Sequence, residues 1–219
     1  MTVVEPRLTL ERRFLKERPL IIACDEVGRG ALAGPVAVGA AVVTPAGARK
    51  RIPQGLRDSK LVPEPRRGEV ARRAAAWVEV SAVGWASSAE IDEVGIMRAL
   101  GLATIRALAD LRAHGVVPED AIVLLDGNYD YITPAGATGL TVRPVIKADR
   151  DCASAAAASV IAKVARDSLM TDLHDELPAY CWASNKGYAS PDHRDAIREH
   201  GISRHHRASW SITEAPTLF

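Results

Sequence analysis

The sequence predicts a mixed α/β fold. Three observations carry that reading: short runs of β-branched or small apolar residues recur along the chain, stretches with apolar residues at helical spacing lie between them, and alanine dominates one long run, Cys152 to Met170. Pro19 to Cys24 and Val36 to Val43 read as neighbouring strands across a turn that contains Gly and Pro. Glu64 to Trp77 reads as a helix, followed by a third strand over Val78 to Trp85. Ser88 to Ala113 reads as one helix, with Ser88 at its N-cap and Gly115 past its end. Ala121 to Gly127 and Leu140 to Ile146 complete the strands, and the alanine-rich run is the last long helix. From Ala179 the composition turns to His, Arg, Ser and Trp. The expected organisation is therefore a core unit over 1–178 and a packed C-terminal extension over 179–219.

With 219 residues, 47% of them hydrophobic, the chain can bury a full core as one domain. A formal net charge of +1 argues neither for a strongly basic nucleic-acid coat nor for an acidic partner, and leaves such binding to a local patch. Cys24, Cys152 and Cys181 form no CxxC pair, and no secretory leader is recognised, so a reduced, cytoplasmic protein is expected. No apolar run reaches the length of a membrane span.

The stretch IIACDEVGRGALAGPV, Ile21 to Val36, sets two adjacent acids in apolar surroundings. Burying an ionised carboxylate without a partner is costly, so something must compensate. Within a strand Asp25 and Glu26 would point to opposite faces, so both are expected at the strand's end, where the glycine-rich loop begins. Asp126 ends another apolar run, and Asp149, in IKADRD, follows a strand. Ligands collect at strand ends in open α/β sheets, and carboxylates gathered there favour a hard cation such as Mg²⁺. Taken alone, Asp126 before Gly127 is an ordinary turn pair. Asp151, one residue before the alanine-rich helix, reads as its cap.

DEVGRGALAGPV closely resembles the signature of the ribonuclease HII family, the type 2 ribonucleases H. The rest of the chain agrees in order: DSK at Asp58 to Lys60, LLDGN at Leu124 to Asn128, IKAD at Ile146 to Asp149, AASVIAKVARD at Ala157 to Asp167, KGYASPDH at Lys186 to His193, and HRASW at His206 to Trp210. The resemblance spans roughly residues 20 to 210. It implies a ribonuclease H-like mixed β-sheet flanked by helices, with a small helical C-terminal extension, acting as a monomer. It implies that Asp25, Glu26, Asp126 and Asp149 bind two divalent ions, Mg²⁺ or Mn²⁺. It further implies that Gly28, Arg29 and Gly30 approach the sugar-phosphate backbone at a ribonucleotide, and that Tyr188 senses the junction between ribonucleotide and deoxynucleotide. The implied substrates are RNA/DNA hybrids and duplex DNA with embedded ribonucleotides, cut 5′ of the ribonucleotide to leave 3′-hydroxyl and 5′-phosphate ends.

The chain departs from the family at Ala148, commonly Gly, which leaves Asp151 as a competitor to Asp149 for the fourth acid. Trp210 stands where phenylalanine is more frequent. Lys60, Lys147, Lys163 and Arg166 lie beside motifs expected to face phosphates, although Lys163 and Arg166 at i, i+3 fit a solvated helix face equally. Residues 192–207 hold four of the six histidines and four arginines. Zinc is not expected there, since adjacent His205 and His206 have poor ligand geometry, and phosphate or substrate-edge contact is expected instead.

Overall fold

A computed structural model of the chain describes residues 5–210. Five strands, β1 (Leu20–Val27), β2 (Val36–Val43), β3 (Ser81–Ala86), β4 (Ala121–Asp126) and β5 (Thr141–Val145), form one sheet in the order β3-β2-β1-β4-β5. The first three are an antiparallel meander, and β4 and β5 join β1 in parallel. Helices cover both faces. On one, α4 (Ile96–Ala113) lies over β2 and β3; on the other, α6 (Ala153–Glu176) lies over β1 and β2. That double cover explains why every residue of β2 is buried and why its sequence is an unbroken apolar run.

Small residues set the layer spacing. A Cβ on Gly39 would sit 2.3 Å from the Ala158 carbonyl oxygen of α6, and one on Gly84 would sit 1.9 Å from that of Ala103 in α4. The alanines of α6 do the same work from the helix side, so helix and sheet approach closely. Along β1 the residues alternate: Ile22 and Cys24 join the core under α4, Ile21 and Ala23 the core under α6. Pro144 is tolerated because β5 is an edge strand.

Four expectations need correction. Strand β1 runs past Cys24 to Val27, so Asp25 and Glu26 pair within the sheet, opposite Gly39 and Val38. The span Ser88 to Ala113 is two helices, α3 (Ser88–Val94) and α4, because Gly95 at φ +78° breaks the helical path. The cap is Ser87, which accepts from the Glu90 N–H in a reciprocal capping box. Asp151 caps nothing: it ends the short α5 (Ala148–Asp151), is exposed, and is gripped by Arg150 through two 2.7 Å bonds. Glu11, on the unexpected helix α1 (Thr9–Phe14), serves the start of α6 instead, accepting from the Ser154 N–H at 2.9 Å and its hydroxyl at 2.8 Å. Helix α2 (Glu64–Trp77) has the bounds read from sequence and packs on α6.

After α6 come a 3-10 turn (Pro178–Tyr180), α7 (Trp182–Asn185) and α8 (Pro191–His200). Tyr180, Trp182, Ala196 and Ile197 bury against Ala33 and Met170, tying these elements to the loop after β1 and to α6. Among the described residues, no helix is long and apolar enough to cross a membrane.

Candidate active site

Parallel pairing of β1 and β4 in the register Cys24↔Leu125 brings both strands to the same level, with Asp25 beside Asp126. The chain then leaves β5 through Lys147, held in the left-handed conformation at φ 61°, and turns into α5. That turn returns Asp149, whose N–H donates to an Asp126 carboxylate oxygen at 3.2 Å. Asp25, Asp126 and Asp149 each offer an oxygen within 4.8 Å of the others. Three carboxylates from a central strand, its neighbour and a short helix thus meet at one point.

Burial and mutual repulsion strain the arrangement at Asp25 and Asp149. Burial first, then the Glu26 charge, pushes Asp25 well above the usual carboxylate range, and Asp126 and Asp149 push it further. Burial, with the Asp126 charge behind it, raises Asp149 to about 6. Lys60 offsets part of this, its ammonium 3.9 Å from Asp149. The donor set is all oxygen, negatively charged and short of counter-charge, which fits a hard divalent cation. Asp151, bound to Arg150, is outside the cluster.

Glu26 does not belong to the trio. It projects from the opposite face of β1, where its carboxylate lies 3.6 Å from the Arg29 guanidinium. Burial raises its pKa, and the charge of Asp126 is close enough to add to that rise. It therefore flanks the cluster rather than sharing its centre.

A cleft of about 500 Å³ opens beside Asp25 and Glu26 and is lined by Gly28, Arg29, Gly30, Lys60, Lys163 and Tyr188. Tyr188 is brought there from the C-terminal elements. The Lys163 ammonium lies 5.7 Å from the centre of its ring and is paired with Asp167 at 2.8 Å. Gly28, at φ +84°, has no room for a side chain, since a Cβ would lie 2.0 Å from Arg166 Nε.

Arg166 requires a correction. It is neither a phosphate contact nor part of a solvated helix face: it is fully buried, donating to the carbonyls of Pro35 (2.8 Å), Lys186 (2.9 Å) and Ala33 (3.1 Å). Arg207, which the sequence did not single out, is its counterpart. Also buried, it donates to the carbonyls of Gly28 (2.6 Å), Arg29 (2.8 Å) and Gly34. Two guanidinium forks thus clamp the loop between β1 and β2 by its backbone. Nothing local distinguishes such an arginine in sequence; only the glycine loop it serves, some 180 positions away, explains it.

The histidine-rich segment is likewise structural at its centre. His193 and His206 are buried, so they cannot touch a substrate edge as expected. The His193 Nε2 accepts from Trp182 Nε1 at 3.0 Å and lies 3.1 Å from His206 Nε2, while its Nδ1 is 2.8 Å from the Tyr188 carbonyl oxygen. His206 Nδ1 accepts from the Ser203 N–H at 2.9 Å, which puts its proton on Nε2, so the one lone pair of His193 Nε2 is shared between that proton and the Trp182 N–H. His193 in turn donates to Tyr188. Burial depresses both imidazoles, His206 to about 4, so both are neutral near pH 7. His200 is exposed, and His205 lies 3.6 Å from Glu176.

The family model described as Ribonuclease HII matches residues 22–213. A ribonuclease HII from Streptomyces avermitilis is 44% identical over 212 residues, 96% of this chain and 85% of that protein. One from Roseobacter denitrificans is 43% identical over 87% of this chain and 89% of its own length. Among solved structures, the ribonuclease HII in the PCNA complex from Archaeoglobus fulgidus superposes with a TM-score of 0.70 at 24% identity, covering 90% of this chain and 98% of that one. The Bst ribonuclease HIII in complex with Mn²⁺ gives 0.73 at 21% identity, covering 89% and 68%. These two likenesses show the ribonuclease H-like fold, and the sequence relatives go further: the chain belongs to the ribonuclease HII family and is a nuclease of the ribonuclease H type.

Proposed function

We propose that the protein hydrolyses the RNA strand of RNA/DNA hybrids and cuts duplex DNA on the 5′ side of embedded ribonucleotides, leaving 3′-hydroxyl and 5′-phosphate ends, as a step in removing ribonucleotides from DNA in the cytoplasm. The observation that carries this is the meeting of Asp25, Asp126 and Asp149 within 4.8 Å, beside a cleft that Gly28, Arg29, Gly30 and Tyr188 share.

Asp25, Asp126 and Asp149 would hold Mg²⁺ or Mn²⁺, with Glu26 serving a second ion from the flank. Two such ions, when bound, supply an activated water and charge neutralisation on both sides of the scissile phosphate. The chain's own residues do the positioning. Gly28 and Gly30 let the backbone approach the sugar, where the 2′-hydroxyl distinguishes RNA from DNA. Arg29 and Lys60, exposed at the mouth of the cleft, hold the phosphates. Tyr188 lays its ring against the sugar at the junction, and Lys163 stands behind it. The reading needs no imidazole base, since the metal ions supply the activated water.

The test is cleavage of duplex DNA with one ribonucleotide, compared with a continuous hybrid, in Mg²⁺ and in Mn²⁺. Cuts 5′ of the ribonucleotide support the reading. Cutting of the hybrid alone would point to another nuclease on the same sheet, and binding without any metal-dependent product to a non-catalytic module.

A further inference from the structure

A second basic surface lies away from the catalytic cleft. A groove of about 800 Å³ runs between the start of α1 and the loop after β2, with Arg7, Arg12, Arg49, Lys50 and Arg51 on its walls and a single carboxylate, Glu5. All five cations are exposed, and none pairs with an acid among the described residues. Elsewhere on this molecule arginines are commonly so paired, as in Arg73 with Glu69 and Arg106 with Glu90. In a chain with a formal net charge of +1, five unneutralised cations around one groove are a local concentration of positive charge. The walls are also firm. Arg12 is fixed by two bonds to the Ala48 carbonyl (3.2 and 3.0 Å), and Leu8 and Leu56 anchor both sides in the core.

The groove is joined to the catalytic centre by the chain itself. The Arg7 N–H donates to the Asp151 carbonyl and its own carbonyl accepts from Ala153, so one wall sits two residues from Asp149. The other wall continues from Leu56 into Ser59 and Lys60, which line the catalytic cleft. From Ala153 to Lys163 along α6 is about 15 Å at 1.5 Å per residue, which corresponds to four or five base steps along a duplex axis at about 3.4 Å each.

We propose that this groove is a duplex-binding extension of the active site, gripping the phosphate backbone of one flank several nucleotides from the cut. The inference rests on the proposed function but adds a contact that chemistry at the metal cluster does not require. It predicts that substrate arms on the two sides of the ribonucleotide are not equivalent.

The experiment uses the full chain, the variant Arg49→Gln/Lys50→Gln/Arg51→Gln, and three duplexes with one ribonucleotide: one with both arms of fifteen pairs, and two in which one arm or the other stops at three pairs. On the full duplex the variant should lose about tenfold in kcat/KM near 0.15 M salt, with kcat unchanged. Its slope of log kcat/KM against log salt should be shallower by about two to three. On one truncated duplex, the one lacking the groove-side arm, variant and parent should be equal. An unchanged salt slope, or an equal loss on all three duplexes, overturns the inference, and an unchanged slope is also what a groove for an acidic protein would give. If the parent protein cuts none of the three, the proposed function fails and the groove assignment falls with it.

Discussion

Asp126 stands at a point where turn chemistry and metal binding would favour the same residue, and substitution separates the two. Asn keeps the shape and still accepts the Asp149 N–H, but removes the charge that holds a cation. Asp126→Asn should lose at least about 10³-fold in cleavage rate at saturating Mg²⁺, with its circular-dichroism spectrum unchanged; near-normal rates would mean that Asp126 only shapes the turn. Tyr188 calls for a comparison of substrates. Loss of an aromatic contact of about 1–3 kcal/mol corresponds to roughly 5- to 150-fold in rate. Tyr188→Ala should show that loss on a single embedded ribonucleotide and a smaller one on a continuous hybrid. Equal losses on both, with a lower Tm, would make the ring a packing group. Asp25, Asp126 and Asp149 could be grouped from the sequence because each lies close to the end of an apolar run, whereas Glu26, grouped with them, lies on the opposite face of β1. Arg166 was misread, since its i, i+3 spacing with Lys163 says nothing of how close α6 lies to the loop after β1.

Between β1 and β2 the chain makes a loop with little regular hydrogen bonding of its own, and the two buried arginines supply what the backbone lacks. Arg207 is the partner of the Arg29 and Gly34 carbonyls and shares that of Gly28 with the Ala31 N–H. Arg207→Met should therefore strand the Arg29 and Gly34 carbonyls and cost about 3 kcal/mol, a fall in Tm of roughly 6–12 °C for a chain this size. Thermal denaturation checks the stability and cleavage assays the loop: activity should fall at 25 °C even where the variant remains folded, because GRG loses its support. A Tm within 2 °C of the parent would show that the loop holds itself. Most elements could be read from the sequence, since periodicity and β-branching are local signals. The exceptions have physical causes. Gly95 splits a helix whose two halves share one apolar face, and β1 keeps pairing through its acids because Gly39 and Val38 on β2 offer partners. Helix α1 was missed because, at six residues, its order comes from Glu11 anchoring the start of α6 rather than from its own pattern.

Gathering three carboxylates at the edge of a buried sheet sets a cost that the entire molecule carries, and pH exposes it. Asp25 and Asp149 have folded-state pKa values above the ordinary carboxylate value, Asp149 at about 6. Between that ordinary value, near 4, and the raised one, the native state binds more protons than the unfolded state. Stability from these groups therefore falls as pH rises through the window, the reverse of a salt-bridged carboxylate. The buried imidazoles act oppositely: with His206 depressed to about 4, stability is lost as pH falls below about 6.5. A simple profile of Tm against pH would mix the two. The increment produced by a divalent ion isolates the carboxylates, because the histidines contribute equally with and without it. Mg²⁺ binds the ionised cluster in the native state and stabilises by mass action, whereas at pH 5.5 protons compete for the same oxygens. The rise in Tm on adding 10 mM Mg²⁺ should thus be larger at pH 8 than at pH 5.5. Asp149→Asn should raise the metal-free Tm at pH 8, by about 2–4 °C for each kcal/mol of repulsion relieved, while abolishing most of the Mg²⁺ increment. An increment independent of pH, or a metal-free variant less stable than its parent at pH 8, would mean that the acids are held by protein contacts rather than kept strained for a cation.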